Sequence, residues 1–238
     1  TPTLWKKFRG LFKRWLRMKP EVSAEIKQIY ETLQMLPFTQ RCGDDKHALH
    51  DLTRAGVIAD MLQTRPAEFR EFSRRAARAF AESDAIEAVY HLLASDLDAG
   101  IRMFYRLIDA LCKRDHNLNG AHRLISYLRE LIDIRALSGA RTERALSYGY
   151  SLLGNLQMNY ASVSAAAESY QQSLEIDQRL AAADPANTEA QRDLSISYNK
   201  LGDVQVQLGD TQTALSAYQQ SLEIGQQLAA ADPDNTQA

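Results

Sequence analysis

His47 and His50 stand three residues apart, with Asp44, Asp45 and Asp51 beside them. Imidazoles and carboxylates at such spacing can hold a divalent cation. The same stretch contains Cys42-Gly43-Asp44-Asp45, which suits the turn of a solvated hairpin, and that reading is preferred to a metal site. Asp115-His116 has the composition of an acid–base pair, but its position before Asn117-Leu118-Asn119-Gly120 reads as a helix terminus. Arg74, Arg75 and Arg78 form a basic strip on one helix, solvated or paired with Glu68 and Glu71. No serine sits in a nucleophile elbow. No Gly-x-x-x-x-Gly-Lys-Ser/Thr run exists to cradle a phosphate. Cys42 and Cys112 lack metal-ligand spacing and read as ordinary thiols of a reducing compartment. These residues predict a non-enzyme, with no metal, catalytic group or cofactor site within the chain.

The elements that would position any site are written in a repeat. Residues 170–190 and 218–238 are near-copies, offset by 48 and differing at four positions. Fainter matches extend upstream at the same offset. Arg192, Leu194 and Ser195 pair with Arg144, Leu146 and Ser147, and Leu201-Gly202-Asp203 pairs with Leu153-Gly154-Asn155. A period of this size marks stacked units that bury their apolar faces only against each other. Each unit reads as two helices. The first follows Asp184-Pro185, with Thr188 as N-cap and Gln191 as its capping-box partner. Leu194, Tyr198, Leu201, Val204 (or Gln205) and Leu208 then recur at helical spacing, and Gly209-Asp210 breaks the run. The second carries Ala214, Leu215, Tyr218, Leu222, Ile224 and Leu228. Small residues at 202 and 214 are expected to let two backbones approach. Leu124, Leu128, Leu131 and Ile132 give residues 120–138 the same periodicity.

This pattern resembles the tetratricopeptide repeat. That family places an aromatic, Leu-Gly, a small residue and a second aromatic on an antiparallel helix pair. Tyr198, Leu201-Gly202, Ala214 and Tyr218 match it, as do Tyr150, Leu153-Gly154, Ala166 and Tyr170. The usual unit has about 34 residues, and the excess here amounts to about two extra turns per helix. The resemblance implies an all-α fold, a right-handed α-solenoid of antiparallel helix pairs. It further implies that first helices face a protein or peptide ligand. Asn155, Asn159, Asn199, Lys200, Asp203 and Gln207, with Gln157 and Gln205, are the candidate contacts. The array reads as continuing past Ala238.

Residues 1–20 carry seven basic side chains and no acid, against a net charge of −2 for the whole chain. Trp5, Phe8, Phe12 and Trp15 gather on one arc of a helical wheel and Lys6, Arg9, Lys13 and Arg17 on the other. Such a helix docks on protein or, as a lesser alternative, lies on a membrane surface. Nucleic acid is not expected as a partner. Residues 21–36 read as an amphipathic helix ended by Pro37. Phe38 to Arg41 and Lys46 to His50 read as two short strands, followed by helices at 51–63, 66–81, 84–95, 97–113 and 121–135.

Ala48-Leu49-His50-Asp51-Leu52 behind a hairpin resembles the winged-helix signature of STAND-type signalling NTPases, including NB-ARC proteins and bacterial relatives. Residues 65–77 and 87–93 resemble the helices that follow it. The resemblance implies that His50 and Asp51 approach the phosphates of ADP or ATP held by an upstream domain of a longer protein. It implies four regions: a basic helix (1–20), a winged-helix-like remnant (21–65), a helical linker or degenerate repeats (66–138) and tetratricopeptide-like repeats (139–238). The function expected is a non-catalytic sensor module of a cytoplasmic bacterial signal-transduction ATPase. Its partners would be a protein or peptide ligand and its own NTPase domain. A free-standing scaffold, held at a membrane by its basic helix, is the alternative.

Overall fold

A computed structural model describes residues 39–41, 47–49 and 51–231, with side chains described continuously from residue 58. The basic helix at 1–20, the helix at 21–36, the Cys42–Asp45 turn and His50 lie outside the described residues. Two compact units are distinguished, residues 1–72 and 73–238.

In the first unit, β1 (Thr39–Arg41) and β2 (His47–Leu49) pair antiparallel, with Thr39 opposite Leu49 and Arg41 opposite His47. Both described strands fall within the two expected at Phe38 to Arg41 and Lys46 to His50. Helix α1 (Asp51–Thr64) follows at once, then α2 (Pro66–Phe80), which runs past the unit boundary at residue 72 and starts on proline, where a missing N–H costs nothing. Arg65 bonds Glu68 at 3.1 Å, so Glu68 is engaged within its own turn.

The second unit is built from helices α3 (Ala85–Ser95), α4 (Leu97–Asp109), α5 (Leu118–Asp133), α6 (Ala140–Tyr160), α7 (Val163–Ala183), α8 (Thr188–Leu208) and α9 (Thr211–Ala231). Short polar residues satisfy the first N–H groups of most of these helices. Asp84, Asp96, Asn117, Ser162, Asn187 and Asp210 each accept from one or two backbone N–H groups just inside a helix. The cap of α8 is therefore Asn187, not Thr188. Gln191 does not close a capping box, since its amide donates to the Ala181 carbonyl at 3.3 Å. Gly209 ends α8 in the left-handed region, at φ 82°, which glycine adopts without strain. The long helix expected at 97–113 is α-helical to Asp109 and continues as a π-helix over Ala110–Arg114.

Val89 and Leu93 of α3, Phe104 and Ile108 of α4, Leu124 and Leu128 of α5, and Leu153 of α6 are all within 1% of full burial. The array continues through α7 to α9, and Ala166 and Tyr170 of α7 share a core with Val204 of α8. The α6–α7 and α8–α9 pairs make an all-α solenoid of antiparallel helix hairpins.

Each hairpin carries the same two devices. A serine pair lies where its helices cross. Ser147 and Ser173 approach to 2.9 Å between hydroxyls, as Ser195 and Ser221 do at 2.8 Å. In each pair both hydroxyls also reach the partner's backbone carbonyl. The second device is a tyrosine lying on glycine. A Cβ on Gly154 would meet Tyr170 Cε1 at 2.5 Å, and one on Gly202 would meet Tyr218 Cε1 at 2.5 Å. The small residue at 202 therefore makes room for a ring, not for the facing backbone. The copies differ in burial. Leu174 is 3% exposed, whereas its counterpart Leu222 is 62% exposed.

Candidate functional site

On α8, Asn199, Asp203 and Gln207 follow at intervals of four and so share one face. Asn155 and Asn159 form the matching face on α6, at the repeat offset from Asp203 and Gln207. Asn159, Asn199, Asp203 and Gln207 are exposed. The two faces are joined by Lys200, whose Nζ donates to Asn155 Oδ1 at 2.8 Å across the hairpins. The Tyr170 hydroxyl donates to that same oxygen at 2.9 Å. The Lys200 ammonium also lies 5.5 Å from the Tyr170 ring centroid, within cation–π range.

Burial holds the Lys200 ammonium below its usual pKa, against the opposing pull of the Asp203 charge. Burial, with the Asp203 charge adding to it, pushes the Tyr170 phenol up to about 12. In the second hairpin Asp203 takes the place of Asn155 and accepts from the Tyr218 hydroxyl at 2.7 Å. Asn159 donates to the Asn155 backbone carbonyl at 3.0 Å. Asn155 and Lys200 thus form a fixed centre, with the remaining four residues exposed around it.

Gln157 and Gln205 are not equivalent. Gln157 is 4% exposed, accepts from the Ser169 hydroxyl at 2.6 Å, and lies 3.4 Å from His122 Nε2. It seals the joint between α5, α6 and α7 rather than facing a ligand. Its counterpart Gln205 is half-buried.

Among the other candidates, Asp115 pairs with Arg114 at 2.8 Å, while His116 packs its ring on Tyr160 with centroids 4.6 Å apart. Cys112 is buried, and desolvation pushes its thiol up to about 11, so it is a poor nucleophile near neutral pH. Asp51 opens α1. His50, Trp5, Phe8, Phe12 and Trp15 lie outside the described residues. Among the described residues, no helix is long and apolar enough to cross a membrane.

The interaction missed by sequence reading is a charged cluster at the α6–α8 joint. Arg144 donates from Nε to Asp193 Oδ2 at 2.7 Å and also pairs with Glu189. Arg144 had shown itself only as a repeat match to Arg192, and its partners lie 45 and 49 residues away.

Residues 152–227 match the family model of the tetratricopeptide repeat. No curated protein matches the chain. The matched span runs from the middle of α6 to near the end of α9 and includes both glycine–tyrosine contacts. The family match and the paired-helix architecture together support a tetratricopeptide repeat protein.

Proposed function

We propose that the chain is a non-catalytic protein-interaction module that takes a protein or peptide segment along α6 and α8. Tetratricopeptide repeats are interaction scaffolds, and the family match carries that general reading to residues 152–227. The observation that carries the finer reading is the pair of polar faces in repeat register, bridged by Lys200 and Asn155. Asn159, Asn199, Asp203 and Gln207 offer both donors and acceptors, which suits the main chain of an extended peptide. The fixed Asn155–Lys200 centre lowers the ordering that binding must impose.

The test is selection of peptides from a displayed library on the intact protein, followed by calorimetric titration. Asn199→Ala and Gln207→Ala alter exposed side chains and should leave folding unchanged. Each is expected to weaken a selected peptide by about 1 kcal/mol or more. Failure to enrich any peptide, or affinities indifferent to both substitutions, refutes the reading.

The regulatory part of the proposal is that the array serves as the sensor arm of a STAND-type signalling ATPase. It is supported by the β1–β2 hairpin running into a helix that opens at Asp51, with Ala48-Leu49-His50-Asp51-Leu52 at the junction. In that setting an upstream domain holds the ADP or ATP, and ligand capture shifts the population of an inhibited state. The reading frame upstream of Thr1 decides the matter. A phosphate-binding loop there supports it, and a start codon immediately before Thr1 defeats it.

A further inference from the structure

A cavity of about 350 Å³ opens between the first turns of α6, the second half of α7 and the first half of α8. Asp177 lies in its wall and is only 3% exposed. Burial raises the Asp177 pKa, and the Ser147 and Ser197 hydroxyls oppose that; Ser197 donates to Oδ2 at 2.6 Å, while Oδ1 has no donor at hydrogen-bond geometry among the described residues. A buried carboxylate oxygen without a donor is costly, and it calls for one.

The cavity cannot supply that donor from its own cations. Arg144 is held by Glu189 and Asp193, and Arg141 pairs with Asp98. Carboxylates predominate in the wall, where Asp177, Asp184, Glu189 and Asp193 face Arg141 and Arg144. Leu180, Ala183 and Ala190 add apolar surface of the kind that receives the methylene stem of a long cationic side chain.

The twice-written segment points the same way. Its four differences are Asp177 against Gly225, Arg179 against Gln227, Ala186 against Asp234, and Glu189 against Gln237. Two of them, Asp177 and Glu189, are acids of this cavity wall, and the second copy carries an uncharged residue at both. Glycine at position 225 shows that the helix itself does not require the carboxylate.

We propose that this cavity receives the cationic side chain of an arginine or lysine from a bound protein partner, whose N–H donors complete Asp177 Oδ1. The inference rests on the peptide-binding reading and adds a cation subsite to it.

The test uses the intact protein and two probes, Nα-acetylarginine amide and the uncharged Nα-acetylcitrulline amide, titrated while amide resonances are followed by NMR. The arginine probe should shift Leu180, Ala183 and Ala190, and the citrulline probe should bind at least about tenfold more weakly. Asp177→Gly, the residue of the second copy, should lower arginine affinity by about tenfold or more while far-UV circular dichroism is unchanged. Asp177→Asn keeps the volume and should lose the preference for the cation. Equal binding of the two probes, no shift at the three amides, or undiminished binding by both variants overturns the proposal. The single-residue probe separates this failure from that of the parent reading. Peptides that bind regardless of arginine or lysine content leave the interaction function standing and remove only the subsite.

Discussion

Alanine at Gly154 and alanine at Gly225 should move stability in opposite directions. Both glycines lie inside helices, α7's partner α6 in one case and α9 in the other, so both substitutions gain about 1 kcal/mol of helix propensity. At Gly225 the new methyl meets nothing within 4 Å, and the gain should appear nearly whole. At Gly154 the methyl would lie 2.5 Å and 2.6 Å from Tyr170 Cε1 and Cδ1. Tyr170 is 5% exposed and has little room to withdraw. Overpacking of this kind costs about 1–3 kcal/mol, and displacing the ring also endangers the Tyr170–Asn155 hydrogen bond, worth about 0.5–1.5 kcal/mol. Gly154→Ala should therefore be net destabilising by about 0.5–3.5 kcal/mol. Gly202→Ala should fall between the two, because Tyr218 is only half-buried and can yield. Urea unfolding followed by far-UV circular dichroism gives the midpoint and slope for each variant. A Gly154→Ala protein as stable as the parent would show that the ring is not seated on the glycine.

Three other expectations use the same measurement. Leu174→Ala should cost about 2–5 kcal/mol because a buried leucine leaves a cavity, while Leu222→Ala should stay within about 0.5 kcal/mol of the parent. Equal effects at the two positions would contradict the difference in burial between the copies. At the fixed polar centre, Asn155→Leu should cost about 1–3 kcal/mol by stranding the Lys200 ammonium and the Tyr170 hydroxyl. Lys200→Met keeps the stem, removes a desolvated charge and should cost less; the reverse order refutes the network. Asp84 caps α3 and bonds Arg123; burial raises its pKa, but Arg123 and the two backbone N–H groups outweigh this and hold it below the ordinary 3.8. Its depressed pKa contributes stability present above that value and lost as pH falls below it, so Asp84→Asn should flatten the acid limb of the stability–pH curve. An unchanged acid limb would show that these bonds do not hold the carboxylate.

What sequence could reveal followed the reach of the interactions. The helices, their apolar faces and the repeat offset depend on near neighbours, and these were legible from periodicity. The glycine–tyrosine positions were legible too, though not their geometry, because nothing in Leu201-Gly202 says what fills the space over a missing Cβ. The cap at Asn187 was misplaced by one residue, since Asn187 and Thr188 both have capping side chains and only backbone direction chooses between them. Gln157 was read as a ligand contact because it lies on a first helix of a unit, yet it is buried against His122 on α5 and Ser169 on α7. The Arg144 cluster and the Asp177 cavity exist only once α6, α7 and α8 are stacked, and no local pattern announces them.

The serine pair and the tyrosine-on-glycine contact join residues 26 and 16 positions apart, so both partners of each fall inside one 48-residue unit. The Arg144–Asp193 and Asn155–Lys200 contacts instead cross from one unit to the next. A duplication or deletion of one unit therefore carries every internal fastener with its mate and disturbs only the junctions. Length can drift in such a gene without loss of foldability, while the junctions remain free to acquire new chemistry one substitution at a time.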